Sequence, residues 1–342
     1  MNAAQDSRRL RPEVAKALEA LLARPYRWGA PVEVGVLGDL AERDRLLAVA
    51  ECIRIVETRA GDARSSHAQA LHHALMGTVH QRNVDLEGLC EVLTAIGSTR
   101  HVCGYAWPHA WKLAQALIKR GDLGPDLYAA LRAMQPAMND HGSDKHARIA
   151  IDRELFFERH LPLDVAQCAG AILKASLRAM PDDQRRRWQG LLHHGMSGQH
   201  AEPKPTWMRK LEGLTNAVGA DVLVQTRAWI SEAARLETVT LSAAGADALR
   251  AVVWITIELG DSSAGEDLAR LAEQPHARGR AHWSPRHDRF VGSLAWALGR
   301  VGHPRTSEIL DALEKRFGRT TAKYAITNAK SVVPRPFRAA PA

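Results

Sequence analysis

Aromatic residues make up only 5% of this chain of 342 residues, and long apolar runs are missing altogether. No stretch approaches the roughly 18 uninterrupted apolar residues that a spanning helix requires, so a membrane-embedded chain is not expected. Met1 to Pro12 carries polar and charged residues but no apolar h-region, which argues against a secretory signal. The four cysteines, Cys52, Cys90, Cys103 and Cys168, show no CxxC spacing, so neither a disulfide framework nor a zinc ribbon is implied. They read as reduced thiols, most of them buried as small hydrophobes, and a cytoplasmic location is the expectation. Runs of β-branched residues are few; Val32 to Leu37 comes nearest to a strand and is short. A GxSxG elbow, a P-loop, GxGxxG and HExxH are all lacking, so no cofactor and no catalytic residue is expected.

What the chain does have is a helical composition. Hydrophobic residues are 46% and charged residues 25%, the balance of a folded soluble protein. Periodicity and breakers predict helices over 12–23, 37–60, 63–81, 85–96, 107–120, 124–134, 145–159 and 163–180. The series continues over 182–195, 205–218, 220–236, 243–259, 264–274, 285–301, 305–317 and 319–332. Gly, Pro and polar residues concentrate at 24–36, 138–144 and 196–205. The last of these is the expected joint between an N-terminal helical region, 1–200, and a repeat region, 201–333. The segment 334–342, with three prolines, is expected to be a flexible tail.

An internal repeat is the strongest signal. Leu249, Val252, Trp254, Leu259 and Gly260 recur as Val291, Leu294, Trp296, Val301 and Gly302, every pair offset by 42 residues. The same offset pairs Leu268 with Leu310 and Leu271 with Leu313, and a looser copy at an offset of 41 begins at Leu211. A period of about 40–47 with two helices per unit lies in the HEAT/armadillo range. Gly260 and Gly302 stand where a helix must end in a left-handed cap, and Pro304 suits the first turn of the next helix. The helix holding Trp254 is apolar nearly all round and must be covered on several sides. The expected fold is therefore all-α: stacked antiparallel helix pairs forming a HEAT-like α-solenoid.

Trp188-x2-Leu191-Leu192-His193-His194, Lys204-Pro205-x-Trp207, Gly219, Trp229, Leu249-Arg250-x2-Val253-Trp254 and Leu294-Ala295-Trp296-Ala297-Leu298-Gly299 follow one another in order. On these residues the stretch from Trp188 to about Lys330 resembles the helical region of a widespread bacterial group. Its members often carry a WGR module or a large C-terminal domain of unknown function, and one is described as a molybdate metabolism regulator. The resemblance implies a HEAT-like helical fold and no established chemistry. No WGR-type segment is visible, and with the chain ending at Ala342 the large C-terminal domain is not expected.

Charge supplies the candidate site. From Pro275 to Ala342 there are 13 Lys/Arg and 4 Asp/Glu, a balance of +9, whereas the whole chain carries +8. Such asymmetry points to an acidic partner surface or a phosphate backbone. Within it, Arg278, Arg280, His282, Trp283, Arg286, His287 and Arg289 interleave basic and aromatic side chains in an expected loop. Arg319, Lys323 and Lys330 add a basic strip on the final helix. The alternative for both is an idle basic cap that keeps the end of an array soluble. The histidine groupings His72/His73/His80, His101-x-Cys103-x5-His109 and Asp140-His141-x2-Asp144-x-His146 lack the spacing of a metal site, and no metal is expected.

Two functional expectations follow. One is a non-enzymatic scaffold or adaptor that binds another macromolecule, a protein partner foremost, through its basic C-terminal edge. The other is a nucleic-acid-binding protein, with a HEAT-like DNA glycosylase as its remote extension; Trp107, Trp111 and Asp122 would then be the residues to consider.

Overall fold

The computed structural model describes residues 10–27, 31–58, 63–99, 106–120, 124–135, 142–157, 169–198, 200, 203–236, 241–274, 285–317 and 321–332. Helices account for all regular structure among the described residues, and no strand occurs there. Val34 to Leu37, inside the one segment with strand-like residues, instead forms a 3-10 turn closed by a bond from Leu37 N–H to the Val34 carbonyl at 3.1 Å.

The chain divides into two compact units, Met1–Leu155 and Phe156–Ala342. The first contains α1 (Pro12–Leu22), α2 (Glu42–Thr58), α3 (Ala63–Gly77), α4 (Leu86–Gly97), α5 (Ala106–Arg120), α6 (Pro125–Met134) and α7 (Gly142–Phe156), the last ending at the boundary. Helix α2 packs on α3 and α4, α4 on α5 and α6, and α3 on α5. Leu46, Val49, Ile53, Leu71, Leu75, Leu89 and Val92 interdigitate in its core. Trp107 and Trp111 are buried there too, 4% and 7% exposed, as four-apart residues on one apolar face must be. That placement removes them from any glycosylase-like cleft; Asp122 lies outside the described residues.

The second unit contains α8 (Ala169–Ala179), α9 (Asp182–Ser197), α10 (Pro205–Val218), α11 (Val222–Ala234), α12 (Ala243–Glu258), α13 (Gly265–Glu273), α14 (Pro285–Val301), α15 (Thr306–Phe317) and α16 (Lys323–Val332). Seven of these nine helices pack in two rows, with α8 against α11 and α12 and α10 against α9. One row runs α9, α12, α14, α16 and the other α11, α13, α15, each helix touching the next in its row. Between the rows α11 lies against α12, α13 against α14, and α15 against both α14 and α16. Helix α12 is covered on every side: all residues from Gly245 to Ile257 are buried. Helix α15 shows the opposite pattern, burying Ile309, Leu310, Leu313 and Phe317 and exposing Glu308, Asp311 and Lys315.

Two glycines 42 residues apart share an unusual backbone conformation. Gly260 and Gly302 have φ of +84° and +68°, the left-handed region that L side chains rarely adopt. At the first, Asp261 N–H reaches back to the Thr256 carbonyl and Gly260 N–H to Ile257, closing a Schellman cap. At the second, Gly302 N–H bonds to the Leu298 carbonyl at 3.1 Å. Pro304 falls in the turn just before α15 rather than inside its first turn. The repeat-equivalent indoles differ: Trp254 is 1% exposed, whereas Trp296 is half-buried with the Arg300 guanidinium 5.7 Å from its ring centroid.

The joint expected near residue 200 lies inside the second unit, because α9 packs against α12 and belongs with the helices that follow it. The tail expected from 334 is outside the described residues.

Candidate functional site

The basic segment singled out in the sequence divides into three parts. Arg278, Arg280, His282, Trp283 and Arg319 lie outside the described residues. Arg286, His287 and Arg289 are not in a loop: α14 begins at Pro285 and carries them in its first turns. Arg286 and His287 are 4% and 3% exposed, which corrects the expectation of a solvent-facing contact strip at these two positions. A buried guanidinium needs a partner anion, and Asp247, fully buried on α12, supplies it. Arg286 Nε donates to Asp247 Oδ2 at 2.7 Å, and Arg250 Nη2 lies 3.1 Å from Asp247 Oδ1. Arg250 is itself fully buried and donates onward to the carbonyls of Gly198 at 2.6 Å and Met196 at 3.3 Å. His287 donates from Nε2 to the Leu241 carbonyl at 2.7 Å. Arg289 is half-buried; burial lowers its proton affinity, Asp247 and Asp288 raise it, and Arg286 opposes them. These side chains tie α14 to α12 and to the end of α9.

Lys330 also has partners. Its ammonium sits 2.5 Å from both Asp311 and Glu314. Partial burial pulls its pKa down, but the bonds to the two carboxylates outweigh that and the net shift is upward. Lys323, exposed at the start of α16 beside Tyr324 with 77% of its surface in solvent, is the remaining described member of the strip.

A different place in the second unit brings aromatic and basic groups together. A cleft of about 210 Å³ opens between the end of α9 and the start of α10, with α12 behind it. Ser197, Gly198, His200, Lys204, Trp207 and Trp254 line it. Its walls are fixed by reciprocal bonding: the Trp207 indole N–H donates to the His194 carbonyl at 3.0 Å, and His194 Nε2 donates to the Trp207 carbonyl at 3.0 Å. The two rings stack with centroids 4.9 Å apart and planes 12° from parallel. Trp207 meets Trp254 edge-on, centroids 5.0 Å apart and planes at 76°, and the Arg250 guanidinium lies 5.0 Å from the Trp254 ring centroid. Gly198 is a matter of space: a Cβ there would come within 2.4 Å of the Trp254 ring. Burial foremost, and then the positive charge of Lys210 and His193, depress the His194 pKa despite its bond to the Trp207 carbonyl.

Nothing local in the sequence marks this cleft. Lys204-Pro205-x-Trp207 was visible as a helix start, but the partners of Trp207 come from α9 and from a position 47 residues further on, Trp254.

Other cavities offer less. One of about 290 Å³ between α1 and α2 is walled by Leu18, Glu19, Leu47, Glu51 and Arg54. Its carboxylates are already engaged: Arg54 binds Glu51 at 3.3 Å and Glu91 at 2.8 Å, and Arg64 binds Glu19. No group of three His, Cys, Asp or Glu placed to hold a metal occurs among the described residues. His101, Cys103, Asp140 and His141 lie outside them, as do the side chains of Asp144 and His146. His72 and His73 do meet, ring centroids 4.2 Å apart, but His72 is fully buried. Burial above all, with His73 and His109 adding to it, lowers its pKa to about 3. Burial likewise pushes the Cys52 thiol well above its ordinary value, which suits a packed hydrophobe and not a nucleophile.

No helix among the described residues is long and apolar enough to cross a membrane. No protein-family model, no curated protein and no solved structure matches this chain.

Proposed function

We propose that this protein is a non-enzymatic scaffold of the cytoplasm: a HEAT-like α-solenoid whose stacked helix pairs hold a partner protein. One observation carries the reading. Helices α12 and α13 recur in sequence as α14 and α15 at an offset of 42 residues; α12 and α14 share left-handed glycine caps and lie side by side in one row, as α13 and α15 do in the other. Each such unit buries its apolar face on its neighbours and leaves side chains along the rows for contacts with other molecules. The test is cross-linking of the intact chain in its native host, followed by size-exclusion of the purified complex. A defined, stoichiometric protein complex is expected; a chain that remains alone under conditions preserving weak complexes would overturn the reading.

A second reading, binding of nucleic acid, is favoured by the balance of +9 between Pro275 and Ala342 (13 basic, 4 acidic). It draws on fewer residues than the composition suggested, since Arg286 and His287 are buried and Lys330 is ion-paired.

A further inference from the structure

We propose that the cleft between the end of α9 and the start of α10, beside Trp207, is an anchor pocket for one apolar side chain of an acidic protein segment, with Lys204 and His200 meeting the carboxylates that flank it. The proposal rests on the scaffold reading and names the place and chemistry of its contact.

Size comes first. At about 210 Å³ the cleft is smaller than the roughly 300–1,000 Å³ of sites that enclose whole small molecules, and of the order of one large side chain. Pockets of that size, aromatic-walled and partly desolvated, are where protein interfaces concentrate their affinity. Rigidity comes next. Trp207 is held by two reciprocal hydrogen bonds and a stacked ring. Trp254, 1% exposed, is held by Arg250 and by the close approach of Gly198. Walls already ordered in the unbound protein lose little entropy when an anchor enters.

Ring geometry decides between an apolar wedge and a nucleobase. A base binds single-strand readers by lying flat on an open aromatic face. Here the two indoles stand at 76° to each other, one face of Trp207 is covered by His194, and Trp254 has almost no exposed surface. No parallel pair of open faces exists for a base, whereas a leucine- or phenylalanine-sized group can pack on the part of Trp207 that His194 leaves uncovered, with Trp254 as the floor behind it.

Charge decides what flanks the anchor. Lys204 is the exposed N-cap of α10, and the first turn of that helix contains no acidic residue. Its positive end therefore adds to the ammonium. Arg209 and Lys210 are exposed on the next turn, against Glu212 as the single carboxylate of α10. A segment with acidic residues on either side of its anchor matches this field, and a basic one is repelled.

The test uses the intact chain and three labelled peptides: Glu-Asp-Phe-Asp-Glu, the same with alanine at the centre, and Lys-Lys-Phe-Lys-Lys. Binding is read by fluorescence anisotropy and by the NMR signal of the Trp207 indole N–H. The acidic phenylalanine peptide should shift that signal and bind about tenfold more tightly than either control. Lys204→Glu, at an exposed position that leaves the fold intact by circular dichroism, should weaken it by about tenfold. Equal binding of the lysine-flanked peptide, an unmoved indole at saturation, or an oligo-dT strand moving the indole in place of the peptide would overturn the proposal. Should the peptide fail while wild type and Lys204→Glu enter the same cross-linked complex equally, the pocket assignment falls and the scaffold reading stands. If no complex forms either, both fall.

Discussion

Acidification from pH 7 to pH 5 is expected to weaken the first unit by about 2 kcal/mol through one side chain, His72. The residue sits on α3, fully buried, with its ring against His73 and the positive potential of His109 nearby. The Gln69 carbonyl draws its proton affinity up slightly, yet neither ring nitrogen has a partner in hydrogen-bond geometry. Burial wins and holds the pKa at about 3, far below its ordinary 6.5. A folded-state pKa below the unfolded one means that the denatured chain takes up the proton first. Stability is therefore intact above pH 6.5 and falls progressively as the pH drops towards 3. Integrating that difference over the two units between pH 7 and pH 5 gives about 2 kcal/mol, which corresponds to roughly 1 M in a urea midpoint. His67 and His73 are also depressed, chiefly by burial, and add to the loss in the same direction. The assay must isolate His72. Urea unfolding of the intact chain, with hydrogen exchange of α3 amides as the local readout, should be run at both pH values on wild type and His72→Leu. The variant keeps an apolar filling and removes the titration, so its midpoint should move by about 1 M less than wild type. Equal losses in the two proteins would refute the argument that burial of this imidazole sets the pH dependence.

Three more expectations concern the second unit and its basic end. Gly260→Ala and Gly302→Ala each place a Cβ at positive φ and should destabilise by about 1–2 kcal/mol, read as a lower melting temperature; two neutral substitutions would refute the cap assignment. Arg286→Ala removes one of the cations bound to buried Asp247 and should destabilise by about 3 kcal/mol, whereas Lys323→Ala on the exposed strip should stay within about 0.5 kcal/mol. Similar losses for both in chemical denaturation would show that the buried pair is not the stronger one. For nucleic acid, the informative variant is Arg278→Ala/Arg280→Ala with Arg286 left intact. Binding of labelled DNA that weakens with added salt and with this double substitution would favour the second reading, and no binding at low salt would remove it.

Much of the local structure was legible because it rests on local rules. The helix from Pro205 to Val218 and that from Pro285 to Val301 have the expected bounds, each opened by a proline whose missing N–H matters little at the first position. The all-round burial of α12 followed from an unbroken set of apolar residues, and the caps at Gly260 and Gly302 from their place after it. What escaped was set by contacts between distant segments. Arg286 and His287 read as a basic loop because nothing adjacent says that Asp247, 39 residues earlier, and the Leu241 carbonyl will receive them. Gly198 read as part of a joint because glycine serves both to free the backbone and to let another group come close; here Trp254 takes up the space of the missing Cβ. Trp207 carried a family resemblance and no hint of a cleft, because its neighbours come from two other helices.

The chain of bonds from Gly198 through Arg250 and Asp247 to Arg286 also bears on how freely the protein can change its length. Helical arrays ordinarily grow and shrink by duplication and loss of whole units, since each unit contacts only its neighbours. Between α12 and α14 that modularity is interrupted. A pair of helices inserted there would strand the Arg286 guanidinium in an apolar interior and leave Asp247 with Arg250 alone, while one added beyond α16 would sever none of these bonds. The helices from α9 to α14 should therefore be inherited as one block, with duplication tolerated better beyond α16 than between α12 and α14.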